Sequence, residues 1–353
     1  MKARKAIALT VAALGIFAGT AGATPIKWVS VELGTHRFGH LRAPDAVVAH
    51  AGPTEVAFKT GAGCGCLDGP GGPVSFAVAP NGAIWLFDVL NHRLLAWKPG
   101  RPARPARVVQ LSKELDVRDF ALGRDGTIYL FAVYAEPPPG DSGANLWALS
   151  PSGRVRWRAH ALMGNALRVA PDGTLYSVGA RRASPAAWTP LTTAAGRPLS
   201  LAAQRRRTTA FQPLGGGLHL VASQIDAHEV HFALVDRSHK VVRAWRVHSR
   251  TAVALERRVL TPALVAGDLV VDVDVSRQTA AGVLWEHVVL RLGSTGSPDR
   301  VSLDAKAVWG DDGTGMSTPL RVGSGGTLYQ LRANPKTGAT VARYALGSRR
   351  KAS

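Results

Sequence analysis

Cysteine, acidic side chains, long apolar runs and familiar catalytic motifs are all scarce in this chain. Two cysteines in 353 residues cannot knit a disulfide framework, so the fold has to rest on a packed core. Both sit in Gly63-Cys64-Gly65-Cys66. Export favours their oxidation, and Cys64 with Cys66 forms the disulfide candidate, a very small ring that depends on the freedom of Gly65 and staples one loop only. Acidic residues number 24 against 43 Lys and Arg, which leaves a formal charge of +19. Such a balance favours polyanions as neighbours, although an Arg-rich, Ala-rich and Gly-rich composition also arises from coding bias alone. Beyond the first two dozen residues no apolar run is long enough to span a bilayer. There is no Gly-x-Ser-x-Gly, no His-Glu-x-x-His and no phosphate-cradling Gly-rich loop followed by Lys, so the enzyme classes that need those motifs are excluded.

The amino terminus carries the clearest signal. Lys2, Arg4 and Lys5 precede a run from Ala6 to Ala18 that is apolar apart from Thr10, and Ala21-Gly22-Ala23 offers small residues for a signal peptidase. Residues 1–23 are expected to be a signal peptide cleaved after Ala23. Their loss would remove three positive charges and lower +19 to +16. No Cys lies near the cleavage point to take a lipid. The expectation is a secreted or extracytoplasmic chain with no stable membrane span, which also disfavours nucleic acid as a partner.

Turn signals recur along the rest: Asn81-Gly82, Asp125-Gly126, Asp172-Gly173, Gly216-Gly217, Gly267-Asp268 and Gly325-Gly326. These pairs supply the positive φ that tight hairpins require. An aliphatic residue follows each one or two positions on, Ile84, Ile128, Leu175, Leu218, Leu269 and Leu328, and the next position holds Trp85, Tyr129, Tyr176, His219, Val270 and Tyr329. Intervals of 44, 47, 43, 51 and 59 residues between the aliphatic positions match a four-stranded propeller blade. In the first unit, strands read at Ile84–Asp88, Arg93–Trp97 and Val108–Leu111. The last unit offers only three, while the amino-terminal part holds strand-like runs at Lys27–Leu33 and Glu55–Lys59. The prediction is an all-β, six-bladed β-propeller over 24–346, closed by that amino-terminal run on the sixth blade and followed by a basic, disordered tail at 347–353. Closure of this kind hides the last sheet edge. A seventh blade from residues 27–60 is the alternative, but the turn signature is missing there.

Residues 76–100, FAVAPNGAIWLFDVLNHRLLAWKPG, resemble an NHL repeat: a strand, a Pro-x-Gly turn, an Ile-aromatic strand ending in Asp, then Asn-x-Arg. FALGRDGTIYLF at 120–131 and LRVAPDGTLYSV at 167–178 keep the first half of that pattern. The resemblance implies a propeller and says little about a ligand. In such repeats Asp88, Asn91 and Arg93 read as a hydrogen-bonded, charge-paired corner that fixes the blade turn.

Chemistry is harder to find. Asp272 and Asp274 alternate with valines, so both carboxylates leave one face of a strand, either as a solvated outer face or as a pair that holds a cation or works as acid and base. His228 and His231 could share a metal only if a turn intervenes, since residues three apart on a strand point to opposite faces. Arg205, Arg206 and Arg207 lie in a blade connection, as a solvated loop or as an attachment point for anionic surfaces. No cofactor is predicted, though a divalent cation is compatible with the acidic pair. The leading reading is a monomeric binding or scaffold propeller in the cell envelope or outside the cell, its partner an unidentified protein or an anionic envelope polymer. The alternative is a metal-dependent, lactonase-like propeller hydrolase or lyase, whose ligands would meet at the axis from several blades. A quinone-dependent dehydrogenase ranks last, because the regular tryptophan docking signature of those larger propellers is absent.

Overall fold

The computed structural model describes residues 26–39, 43–52, 56–57, 72–73, 75–134, 145–162, 164, 166–179, 187–255, 260, 262–304, 319–334 and 336–346. The hairpin turns form as their residues require. Gly82 and Gly126 take φ of 78° and 79°, and each amide donates to the carbonyl three residues back, Ala79 and Gly123. The preceding Asn81 and Asp125 accept the amides of Ala83 and Thr127 and tighten the same turns.

Each turn joins the innermost strand of a blade to the next one out. Blade one runs β3 (Phe76–Val78), β4 (Ile84–Asp88), β5 (Arg93–Trp97) and β6 (Arg107–Gln110). Blade two is β7 (Leu115–Leu122), β8 (Ile128–Tyr134), β9 (Leu146–Leu149) and β10 (Val155–Ala159). Blade three holds only β11 (Ala166–Val169), β12 (Leu175–Gly179) and β13 (Ala187–Pro190). Where a fourth strand is expected, a short helix α1 (Leu201–Arg207) intervenes and Thr209 alone bridges Trp188. Blade four comprises β14 (Gln212–Gly215), β15 (Leu218–Gln224), β16 (Glu229–Val235) and β17 (Val241–His248). In blade five the innermost strand is split into β18 (Ala252–Ala254) and β19 (Ala263–Val265), both pairing with the long β20 (Asp268–Thr279), followed by β21 (Gly282–Leu292) and β22 (Asp299–Asp304). Blade six has β23 (Leu320–Val322), β24 (Thr327–Asn334) and β25 (Gly338–Ala345). Contacts of β23 with β3, β3 with β7, and β7 with β11 carry the ring around its centre. Six small sheets in a ring make this a six-bladed β-propeller.

An amino-terminal strand closes blade six as expected, but it comes from a different segment. Residues Trp28–Glu32 form β1, but they pair in parallel with β17 at the rim of blade four, where Val29 and Val31 extend the apolar row of Trp245 and Val247. Closure of blade six falls to β2 (Asp45–Ala49), antiparallel to β25, with Val47 and Ala49 buried. Of the run Glu55–Lys59, Val56 makes a single bridge with Ala51, and its ends lie outside the described residues. The physical reason is edge matching. A run with two inward valines satisfies a rim that already presents Trp245, whereas β2 is bulged between Asp45 and Val47 and recognisable only once β25 is in place.

Apolar clusters glue neighbouring blades. Phe87 and Leu94 meet Phe120 and Trp147 between blades one and two, and Tyr129 and Leu146 meet Leu167 and Leu191 between two and three. Trp245 and Phe232 pack on Val271 and Leu290 between four and five, Val289 on Leu328 between five and six, and Trp97 and Phe76 on Leu331 and Val341 between six and one. Each fully buried large side chain contributes roughly 1.5–3 kcal/mol. Among the described residues the interface of blades three and four has no such cluster.

Candidate functional site

Repeat register singles out one position on the innermost strands. Seven residues before the aliphatic anchor lie Ala77, Ala121, Arg168 and Arg321 in blades one, two, three and six, each opposite the aromatic of its own blade, Trp85, Tyr129, Tyr176 and Tyr329. Blades three and six stand opposite each other in a ring of six, so two long guanidinium side chains enter from opposing sides where blades one and two place only methyl groups. Both arginines adopt the same local pose: Arg168 Nη1 donates to the Leu167 carbonyl at 2.6 Å, and Arg321 Nη1 to the Leu320 carbonyl at 2.9 Å. The Arg321 guanidinium also lies 5.3 Å from the centre of the Phe76 ring.

One buried carboxylate acts on both arginines. Asp119, fully buried on β7, accepts from Ser75 Oγ at 2.6 Å, from the Leu167 amide at 2.7 Å and from Arg168 Nη1 at 3.5 Å. Loss of hydration lowers the pKa of Arg168 and Asp119 opposes that fall. Arg321 is pushed down further, first by desolvation and then by the charge of Arg168, with Asp119 again opposing. Guanidinium does not give up its proton in proteins, so both arginines stay charged, with Asp119 as a buried counter-charge to each. About a tenth of the Arg168 side chain stays open to solvent. A carboxylate or phosphate group matches planar guanidinium forks in both charge and geometry.

The residues singled out from the sequence lie elsewhere. Asp88, fully buried, accepts from Asn91 Nδ2 and Arg93 Nε, both at 2.8 Å, and so ties the β4–β5 turn together. Asp272 and Asp274 do share a face of β20, but it is not a solvated one. Asp272 is 3% exposed and Asp274 meets His287 Nδ1 at 2.5 Å, because that face packs toward blade six while Val271, Val273 and Val275 pack toward blade four. His228 precedes β16, is exposed and sits 3.1 Å from the Ser249 carbonyl, whereas His231 pairs with Glu229, which also meets His248 at 3.3 Å. The two histidines therefore engage different partners, on a different blade from the two aspartates. Arg205, Arg206 and Arg207 are exposed in the last turn of α1 rather than in a loop, where the helix dipole favours cations. Cys64 and Cys66 lie outside the described residues. Among the described residues no three His, Cys, Asp or Glu side chains group so as to hold a metal.

Sequence reasoning missed Ser75, Asp119, Arg168 and Arg321. The signal was present in the aliphatic series, since counting back seven positions gives Ala, Ala, Arg, Phe, Pro and Arg. Its meaning needed the ring, which sets blades three and six face to face.

No protein-family model matches the chain, and no curated protein sequence does. Solved structures similar to it include a protein of unknown function from Bacteroides caccae, at 14% identity and a TM-score of 0.37 over 68% of this chain and 84% of that one. Virginiamycin B lyase from Staphylococcus aureus is similar at 10% identity and 0.36 over 76% and 94%, and PQQ-bound aldose sugar dehydrogenase from Streptomyces coelicolor at 11% and 0.37 over 87% and 98%. Superpositions this loose carry no argument about chemistry, and the propeller is read from the six sheets themselves. No helix among the described residues is long and apolar enough to cross a membrane.

Proposed function

We propose that this chain is an exported, non-catalytic binding propeller whose ligand, an anionic cell-envelope polymer, places a carboxylate or phosphate group between Arg168 and Arg321. The observation that carries the reading is two guanidiniums at equivalent positions of opposing blades, converging on one buried carboxylate. An anion there relieves the repulsion between like charges in a region of low dielectric, where each charge acts more strongly than in water. The amino-terminal pattern supports export. The basic balance of the chain and the exposed Arg205–Arg207 turn support long-range attraction of a polyanion, which salt would screen.

Calorimetric titration of the cleaved protein with inorganic phosphate and with acetate tests the reading. Saturable binding that weakens with added chloride and disappears in Arg321→Met supports it. Absent binding, or binding unchanged in Arg321→Met, overturns it.

A further inference from the structure

Blades three and four meet without an apolar cluster, and the space between them is a cavity of about 460 Å³. Its size falls in the range of small-molecule sites. Tyr176 and Phe211 supply aromatic wall, Arg207 reaches it from the end of α1, and His219 and His239 line the side formed by blade four. The Phe211 ring stands 4.8 Å from that of His239.

Three threonines on this wall have their hydroxyl oxygens engaged as acceptors. Thr192 Oγ1 accepts the Leu175 amide at 3.0 Å, Thr209 Oγ1 accepts the Phe211 amide at 3.0 Å, and Thr193 Oγ1 accepts the Arg197 amide at 3.3 Å. Each hydroxyl still has its proton to give. His219 adds a buried Nδ1 with no hydrogen-bond partner among the described residues, and Arg207 adds a fork of donors. Asp172, whose charge acts on Tyr176, is turned into its own hairpin, where it accepts the Thr174 amide at 2.9 Å, and Asp236 is likewise turned into its own turn, where it accepts the Ser238 and Lys240 amides, each at 2.9 Å. The cavity is therefore rich in donors and cations and poor in acceptors. It suits a ligand with many acceptor oxygens, a negative charge and a ring with a face that can stack on an aromatic wall.

We propose that the cavity between blades three and four binds an acidic sugar unit, with its carboxylate at Arg207, its ring against Phe211 and Tyr176, and its oxygens on the threonine hydroxyls. A sugar meets these terms better than a bare anion, because a bare anion leaves the aromatic wall unused. The site is separate from the axis, since none of Ser75, Asp119, Arg168 and Arg321 lines it.

The test is calorimetric titration of the cleaved protein with methyl β-D-glucuronoside, with methyl β-D-glucoside as the neutral control. Saturable glucuronoside binding is expected, weakened at least about tenfold in Arg207→Gln and for the glucoside through loss of the charge-assisted contact. Arg207 is exposed, so that variant keeps its fold. Thr192→Val and Phe211→Ala should weaken the sugar, and Arg321→Met should leave it unchanged. No saturable binding, equal affinity for the two glycosides, or loss in Arg321→Met with Arg207→Gln unaffected would each overturn the assignment. The last outcome would move the carboxylate to the axis.

Discussion

Replacing Asp119 by Asn changes one atom and tests the electrostatics of the ring centre. The carboxylate is fully buried and accepts from Ser75 Oγ, the Leu167 amide and Arg168 Nη1 through two oxygens. An amide has one acceptor oxygen, so its NH₂ must face a donor that the second oxygen had satisfied. The substitution also leaves Arg168 and Arg321 without the charge that opposes their desolvation. Breaking a buried pair by removing one partner costs about 3–5 kcal/mol, which in a domain of this size lowers the melting temperature by roughly 4–7 °C. Scanning calorimetry and urea titration would measure it. The second half of the argument is a double substitution. Arg321→Met removes the cation that Asp119→Asn leaves exposed to its neighbour, so Asp119→Asn with Arg321→Met should recover part of the loss, a coupling that a mutant cycle reads directly. A loss below about 1 kcal/mol for Asp119→Asn, or strict additivity with Arg321→Met, would refute the account of Asp119 as a counter-charge to both arginines.

Two further predictions concern ring closure and pH. Gly338 has φ of +110°, and a Cβ there would lie 2.0 Å from the Ala49 carbonyl oxygen, so Gly338→Ala must push β2 off blade six. The backbone cost alone is about 1–3 kcal/mol, and hydrogen exchange at the Arg343 amide, bonded to the Pro44 carbonyl at 3.0 Å, should accelerate; unaltered protection would show that β2 does not close the ring. Burial, with the nearby charges of His239 and Arg237, lowers the pKa of His219 below its ordinary 6.5. The unfolded chain then binds the extra proton first, so stability is intact above pH 6.5 and declines as pH falls from there toward the folded pKa. His219→Phe, which restores the aromatic that this repeat position holds in other blades, should flatten that limb in urea titrations at pH 7.5 and 5.5; an unchanged limb would place the titration elsewhere.

How much was legible in advance depended on the range of the interactions involved. Hairpin turns, aliphatic anchors and the Asp88 corner involve residues within about ten positions of each other, and backbone φ requirements with period-two burial mark such features directly. Pairing at long separation leaves no local mark. Lys27–Leu33 and Glu55–Lys59 both read as strand-like runs for closing blade six, yet the valines of the first match Trp245 and Val247 on blade four, and Asp45–Ala49 took the closing place through its fit to β25. Asp272 looked solvated because alternation reports two faces but not what covers each.

The amino-acid sequence by itself determined the blade, because turn chemistry and alternation are local and recur six times. The tertiary structure alone decided which residues share an environment. Closing the ring set Arg168 opposite Arg321 around Asp119, and the short third blade left a donor-lined cavity beside His219 where the other interfaces are filled with apolar side chains. Burial and mutual charge act through space, and the chain separations they bridge here exceed any window in which a sequence pattern is visible.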